Sequence, residues 1–86
     1  MRATTSPEFW ERFYRLPTEA QRLAENNYRL WLAHPHHPSL YFKPFKRQLW
    51  SVRVGLHYRA TGVFIARDEF RWVWIGTHEE YNKLQG

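Results

Sequence analysis

The sequence predicts an α+β fold in the order α-α-β-β-β-α: a helical pair, an antiparallel meander of three strands, and a short closing helix. Three observations predict it. Apolar residues recur at helical spacing as far as Trp31. From Leu49 onward they alternate, or run in β-branched and aromatic blocks. Between the two halves lies "HPHHP", whose prolines Pro35 and Pro38 cannot continue a helix. At 86 residues the chain, 1–86, is of the size of one domain.

The first helix is read from "SPEFWERFYRL". Ser6 is a natural N-cap, Pro7 suits the first helical position, and Glu8 and Glu11 lie where the helix dipole favours acid. Phe9, Phe13 and Leu16 share one face, and Pro17 ends the segment. Thr18 then starts a second helix as N-cap, with Gln21 completing a capping-box pattern. Its expected buried stripe is Ala20, Leu23, Ala24, Asn27, Leu30 and Trp31, with Arg22, Glu25 and Arg29 outward. Two such helices joined by a short link make an αα-hairpin.

In the second half "LWSVRV" alternates, with Trp50, Val52 and Val54 on one side and Ser51 and Arg53 on the other. Gly55 permits a tight connection to a long strand, "HYRATGVFIA". "RDE" turns the chain into a third strand, "FRWVWIGT", and "HEEYNKLQ" follows as a helix with Thr77 as N-cap. A small extra strand at residues 2–5 completes the expected inventory.

Composition narrows the function classes. Aromatic residues make up 19% of the chain, an efficient way for a small domain to fill its core. There is no cysteine, so disulfides and thiolate metal sites are excluded. The N-terminal segment has no signal-peptide pattern, and no apolar run approaches the ~18 residues of a membrane span. The expectation is a soluble cytoplasmic protein without a membrane partner.

The net charge of +5 is unevenly placed. From residue 26 to 67 there are seven cations, Arg29, Lys43, Lys46, Arg47, Arg53, Arg59 and Arg67, and no acid. Such a block suits a polyphosphate or an acidic protein partner. In "LYFKPFKRQLW" rings interleave with Lys43, Lys46 and Arg47, a pattern that serves base stacking with phosphate binding, or equally a core with a solvated basic face. His34, His36 and His37 do not make a metal site. Two prolines extend their path, no carboxylate or thiolate is near, and a structural site wants about four converging ligands. No metal or other cofactor is expected.

The candidate chemistry lies on the sheet. Arg53 and Arg59 fall on strands joined around Gly55, and His57 shares a face with Arg59 if the pleat is regular. His78 follows the third strand, with Tyr81 one turn further on. A histidine exchanges protons near neutrality and an arginine holds a phosphate through paired N–H donors. Together they suit RNA cleavage by the RNA's own 2′-hydroxyl, which needs no metal. Each residue also has an architectural reading: His78 as a helix-start residue, Arg59 as cover for an aromatic surface, Tyr81 as an anchor of the last helix.

Four segments, "FWERFYRLPTEAQRLAENNYRLW", "HPSLYFK", "WSVRVGLHYRA" and "WIGTHEEY", occur in this order and together resemble the RelE/ParE toxin superfamily of bacterial toxin–antitoxin systems, nearest its HigB-like, YafQ-like and plasmid-stabilisation branches. The resemblance spans nearly the whole chain. It implies a two-layer fold in which the helical hairpin packs on a curved antiparallel sheet of three to four strands. It further implies a ribosome-dependent mRNA endonuclease, with ribosome and mRNA as targets, neutralised by a cognate antitoxin in a hetero-oligomer. Carried onto matching positions, Arg59 corresponds to the arginine of the family's "YR" strand motif at the scissile phosphate, and His78 to the strand-end residue of proton transfer. Arg53 corresponds to the basic residue of the preceding strand, and Tyr81 to a C-terminal aromatic that orients the nucleotide. Lys43, Lys46, Arg47, Arg53 and His57 are the expected RNA contacts.

The sequence departs from some relatives in lacking a lysine pair on the middle strand, with only Arg53 near, and in lacking, within residues 26–67, the acid they place on the sheet. ParE-like members of the same superfamily inhibit DNA gyrase without cutting RNA, and a member that binds its antitoxin yet poisons nothing is a third reading. Fold alone does not choose among them.

Overall fold

The computed structural model describes residues 1–85, with Gln85 described as backbone only. Its elements are β1 (Arg2–Thr5), α1 (Pro7–Phe13), α2 (Thr18–Ala33), a 3₁₀ turn (Pro38–Leu40), β2 (Lys43–Lys46), β3 (Leu49–Val54), β4 (Tyr58–Ala66), β5 (Glu69–Thr77) and α3 (His78–Gln85). The five strands form one sheet in the order β1-β5-β4-β3-β2. The β2-β3-β4-β5 run is antiparallel, whereas β1 pairs parallel to β5.

The fold class is the expected one, and the sheet is larger than the three or four strands expected. The added strand β2 contains Pro44, which lacks a ladder donor and is tolerated because β2 lies at the sheet edge. α1 is capped as anticipated: Ser6 Oγ accepts the Phe9 N–H at 3.2 Å, with Pro7 in the first turn. α2 starts one residue earlier than expected. Pro17 occupies the N-cap and Thr18 makes no side-chain cap. Gln21 reaches back to donate from Nε2 to the Leu16 carbonyl at 3.0 Å, so the capping box does not form.

Trp31 of α2 is the centre of the core. It is 1% exposed, with ring centroids 5.0–5.7 Å from those of Trp72, Phe70 and Phe42. Phe9 and Phe13 of α1, Leu40, Val52, Val54, Ala60 and Ile75 complete the cluster. Burying one such side chain contributes about 1.5–3 kcal/mol, which is how a chain this small holds a fold. α1 packs on β5 and α2 on β3, and an apolar groove of about 510 Å³ separates the two helices. Leu23 therefore leaves its expected stripe: it is 41% exposed and lies over Gly55.

Two irregularities aim the strands. Thr61 pairs with Trp74 and Gly62 with Trp72, which leaves Val73 as an extra residue in β5. This bulge inverts the alternation, so Phe70 and Trp72 face the helices before it and Ile75 does after it. Gly62 sits where the Phe70 ring crosses the strand, and a Cβ there would run into that ring and the Arg71 carbonyl.

Candidate functional site

The sheet face away from the core cluster carries the candidate site. Side chains directly opposite on paired strands share a face. Lys43, Ser51 and Thr61 are successive partners across β2, β3 and β4. Arg53, Arg59 and Gly76 are the next row, across β3, β4 and β5. Two guanidinium groups thus stand opposite each other beside a glycine.

α3 closes the row at its end. Its start is a reciprocal box: Thr77 N–H donates to Glu80 Oε1 at 2.9 Å, and Glu80 N–H donates to Thr77 Oγ1 at 3.1 Å. The Thr77 hydroxyl also donates to Glu80 Oε1 at 3.2 Å. Chiefly through the Thr77 N–H, the Glu80 carboxyl is held below its ordinary pKa, against a smaller opposing effect of burial. His78, the first residue of the helix, donates its N–H to the His57 carbonyl at 2.7 Å. The β3–β4 turn and the helix start therefore fix each other, which places the imidazole at the end of the arginine row.

A concavity of about 270 Å³ is lined by Tyr41, Lys43, Ser51, Arg53, Arg59, His78, Tyr81 and Asn82. No carboxylate is among them. Neither Arg53 nor Arg59 has an ion-pair partner among the described residues, whose two salt bridges join Met1 to Asp68 and Arg2 to Glu69. Arg53 Nε donates to the Gly55 carbonyl at 3.2 Å and Arg59 to the Tyr58 carbonyl at 2.9 Å. Partial burial, and after it the neighbouring Arg53 charge, lowers the Arg59 pKa, with Tyr81 opposing. The group stays cationic at neutral pH, as guanidinium does in proteins. Like charges held opposite are unfavourable, and an anionic group such as a phosphate or carboxylate placed between them would relieve that cost.

Arg59 and His78 thus line one space, together with Arg53, Lys43 and Tyr81. The other predicted contacts are placed elsewhere. Lys46 Nζ donates to the Leu84 carbonyl at 3.0 Å, Arg47 sits in the β2–β3 turn with φ +52°, and the His57 side chain is exposed on the β3–β4 turn. None of these three lines the concavity. Tyr81 is 5% exposed, its ring rests on Phe45 at 4.7 Å, and its hydroxyl donates to Ser51 Oγ at 3.1 Å. That hydroxyl is engaged inside the protein. Sequence reasoning missed Tyr41, Ser51 and Asn82 as site residues. For Tyr41 the signal was its place in the interleaved aromatic and basic segment.

Among the described residues no three His, Asp or Glu side chains converge as metal ligands would. His37 Nδ1 instead accepts from the Ser39 N–H at 3.2 Å and caps the 3₁₀ turn. No helix among those residues is long and apolar enough to cross a membrane.

No protein-family model and no curated protein matches the sequence. Solved structures do match the fold. The YoeB/ParE toxin from Agrobacterium tumefaciens superposes with a TM-score of 0.71 at 14% identity, over 91% of this chain and 99% of that one. The solution structure of the conserved hypothetical protein HP0892 from Helicobacter pylori superposes with a TM-score of 0.58, also at 14% identity, over 94% and 98% of the two chains. At this identity the likeness is one of fold, and the fold of this chain is the one seen in the YoeB/ParE toxin and in HP0892.

Proposed function

We propose that the protein is the toxin of a toxin–antitoxin module and an endoribonuclease that cuts mRNA on the ribosome, acting in the cytoplasm and held in check by a cognate antitoxin. The observation that carries this reading is the acid-free concavity in which Arg53, Arg59, Lys43 and His78 meet. The toxin fold supports it from the side of the whole chain.

In this reading the RNA 2′-oxygen attacks the adjacent phosphorus and loses its proton. A pentacoordinate phosphorane forms, the bond to the 5′-oxygen breaks, and that oxygen takes up a proton. The products are a 2′,3′-cyclic phosphate and a 5′-hydroxyl. Arg59, half-buried and without a carboxylate partner among the described residues, stabilises the phosphorane charge. His78, exposed at the mouth, transfers a proton. Arg53 and Lys43 hold the flanking phosphates, while Lys46, Arg47 and His57 lie outside the concavity, where only a longer RNA track reaches them. Tyr81 positions the floor through Ser51.

The test is inducible expression followed by primer extension on a reporter mRNA. Cleavage is expected for the parent, with rates reduced about 10²–10⁴-fold in His78→Ala and about 10²–10³-fold in Arg59→Ala. Chelators should leave the rate unchanged. Intact mRNA together with arrested DNA supercoiling would instead support gyrase inhibition, and harmless expression would support an inactive antitoxin-binding protein.

A further inference from the structure

The concavity contains one aromatic ring that the fold itself does not use. Tyr41 is 58% exposed, although its neighbours Leu40 and Phe42 are both buried anchors of the core. Its backbone is left-handed, at φ +48° and ψ +44°, where it closes the 3₁₀ turn by donating its N–H to the Pro38 carbonyl at 3.3 Å. A bulky residue adopts that conformation at a cost which glycine would avoid. The result of the turn is to display the phenol ring above the sheet, with the Arg53 guanidinium 5.2 Å from its centroid.

Tyr81 offers a contrast within the same space. The Arg59 guanidinium lies 5.9 Å from its ring, yet that ring rests on Phe45 and its hydroxyl is tethered to Ser51. One tyrosine is built into the floor, the other stands at the rim. Beside two guanidinium groups that have no ion-pair partner among the described residues, an exposed π-face fits one ligand chemistry well: the flat ring of a nucleobase whose phosphate the arginines hold.

We infer that Tyr41 and Arg53 form a nucleobase subsite, in which the base flanking the phosphate bound by Arg59 stacks on the free face of Tyr41. The inference rests on the reading of the concavity as a site for single-stranded RNA. Stacking tolerates every base because each has a π-face, so the subsite adds affinity and register more than sequence choice.

The experiment measures binding to ribosomes programmed with an uncleavable mRNA, 2′-deoxy at the scissile nucleotide, against empty ribosomes. Tyr41→Gly is the informative variant, since glycine accepts the left-handed backbone and the turn is retained. It should bind programmed ribosomes about 5- to 150-fold more weakly, while Tyr41→Phe stays within about twofold of the parent because the ring is kept. An abasic nucleotide stepped along the mRNA should weaken the parent at one flanking position, and Tyr41→Gly should be indifferent to it there. A Tyr41→Gly protein that binds as tightly as the parent overturns the subsite, as does one whose loss simply adds to that of the abasic nucleotide at every position. A parent that does not distinguish programmed from empty ribosomes overturns the RNA reading, and the subsite with it.

Discussion

Removing the Tyr81 hydroxyl separates a tether from a reacting group. Tyr81→Phe keeps the ring on Phe45 and deletes a bond of 3.1 Å to Ser51 Oγ, whose residue is 2% exposed. A buried hydroxyl left without its partner costs about 1–2 kcal/mol. For a domain of this size each kcal/mol moves the thermal midpoint by about 4–8 °C, so Tyr81→Phe should melt about 4–16 °C lower than the parent. Ser51→Ala should destabilise in the same direction. The double variant removes both partners and should cost less than the two singles together, with a coupling energy of about 0.5–1.5 kcal/mol. Thermal unfolding followed by circular dichroism reads all four proteins. Below every midpoint, the cleavage rate of Tyr81→Phe should fall less than that of Tyr81→Ala, which loses the ring as well. Strictly additive melting costs would refute the tether. An unchanged midpoint with Tyr81→Phe as slow as Tyr81→Ala would make the hydroxyl a participant in the chemistry.

Three further outcomes are expected. Gly62→Ala forces a Cβ into the Phe70 ring and the Arg71 carbonyl, and should lower stability by about 1–3 kcal/mol in a denaturant titration. Glu80 has its pKa lowered from an ordinary value of 4.5, so the stability it contributes is present above that value and is lost as pH falls through the depressed one. The melting gap between parent and Glu80→Gln should therefore be open near neutrality and close in acid; a gap that widens in acid would contradict the box at Thr77. Binding of the protein to a single-stranded RNA should weaken with salt at a log–log slope of about −2 if Lys43, Arg53 and Arg59 each neutralise one phosphate, and Arg53→Gln should make that slope shallower.

Periodicity made the long elements legible because each depends on a local pattern. The Phe9, Phe13 and Trp31 faces and the Ser6 cap needed only spacing and side-chain type. Arg53 and Arg59 could be placed together because a hairpin around Gly55 makes them partners whatever else the chain does. Features that depend on distant partners could not be read. β2 is a strand only because β3 lies beside it, and Pro44 argued against it locally. The Val73 bulge exists because β4 and β5 must keep Phe70, Trp72 and Ile75 on one side, and nothing in "WVW" announces the extra residue. The left-handed turn at Tyr41 is imposed by two buried neighbours, so a residue type that seldom adopts it gave no warning.

The bulge at Val73 has a consequence for how the molecule tolerates change. By reversing the alternation partway along one strand, it lets that strand bury Phe70 and Trp72 in one stretch and present Gly76 to the guanidinium pair in the next. The strand thereby gives Phe70, Trp72 and Ile75 to the core and Gly76 to the opposite face, so replacing Arg53 or Arg59 on that opposite face leaves the ring cluster untouched. A variant without those guanidinium groups should keep its shape, and the surface of its helical side with it.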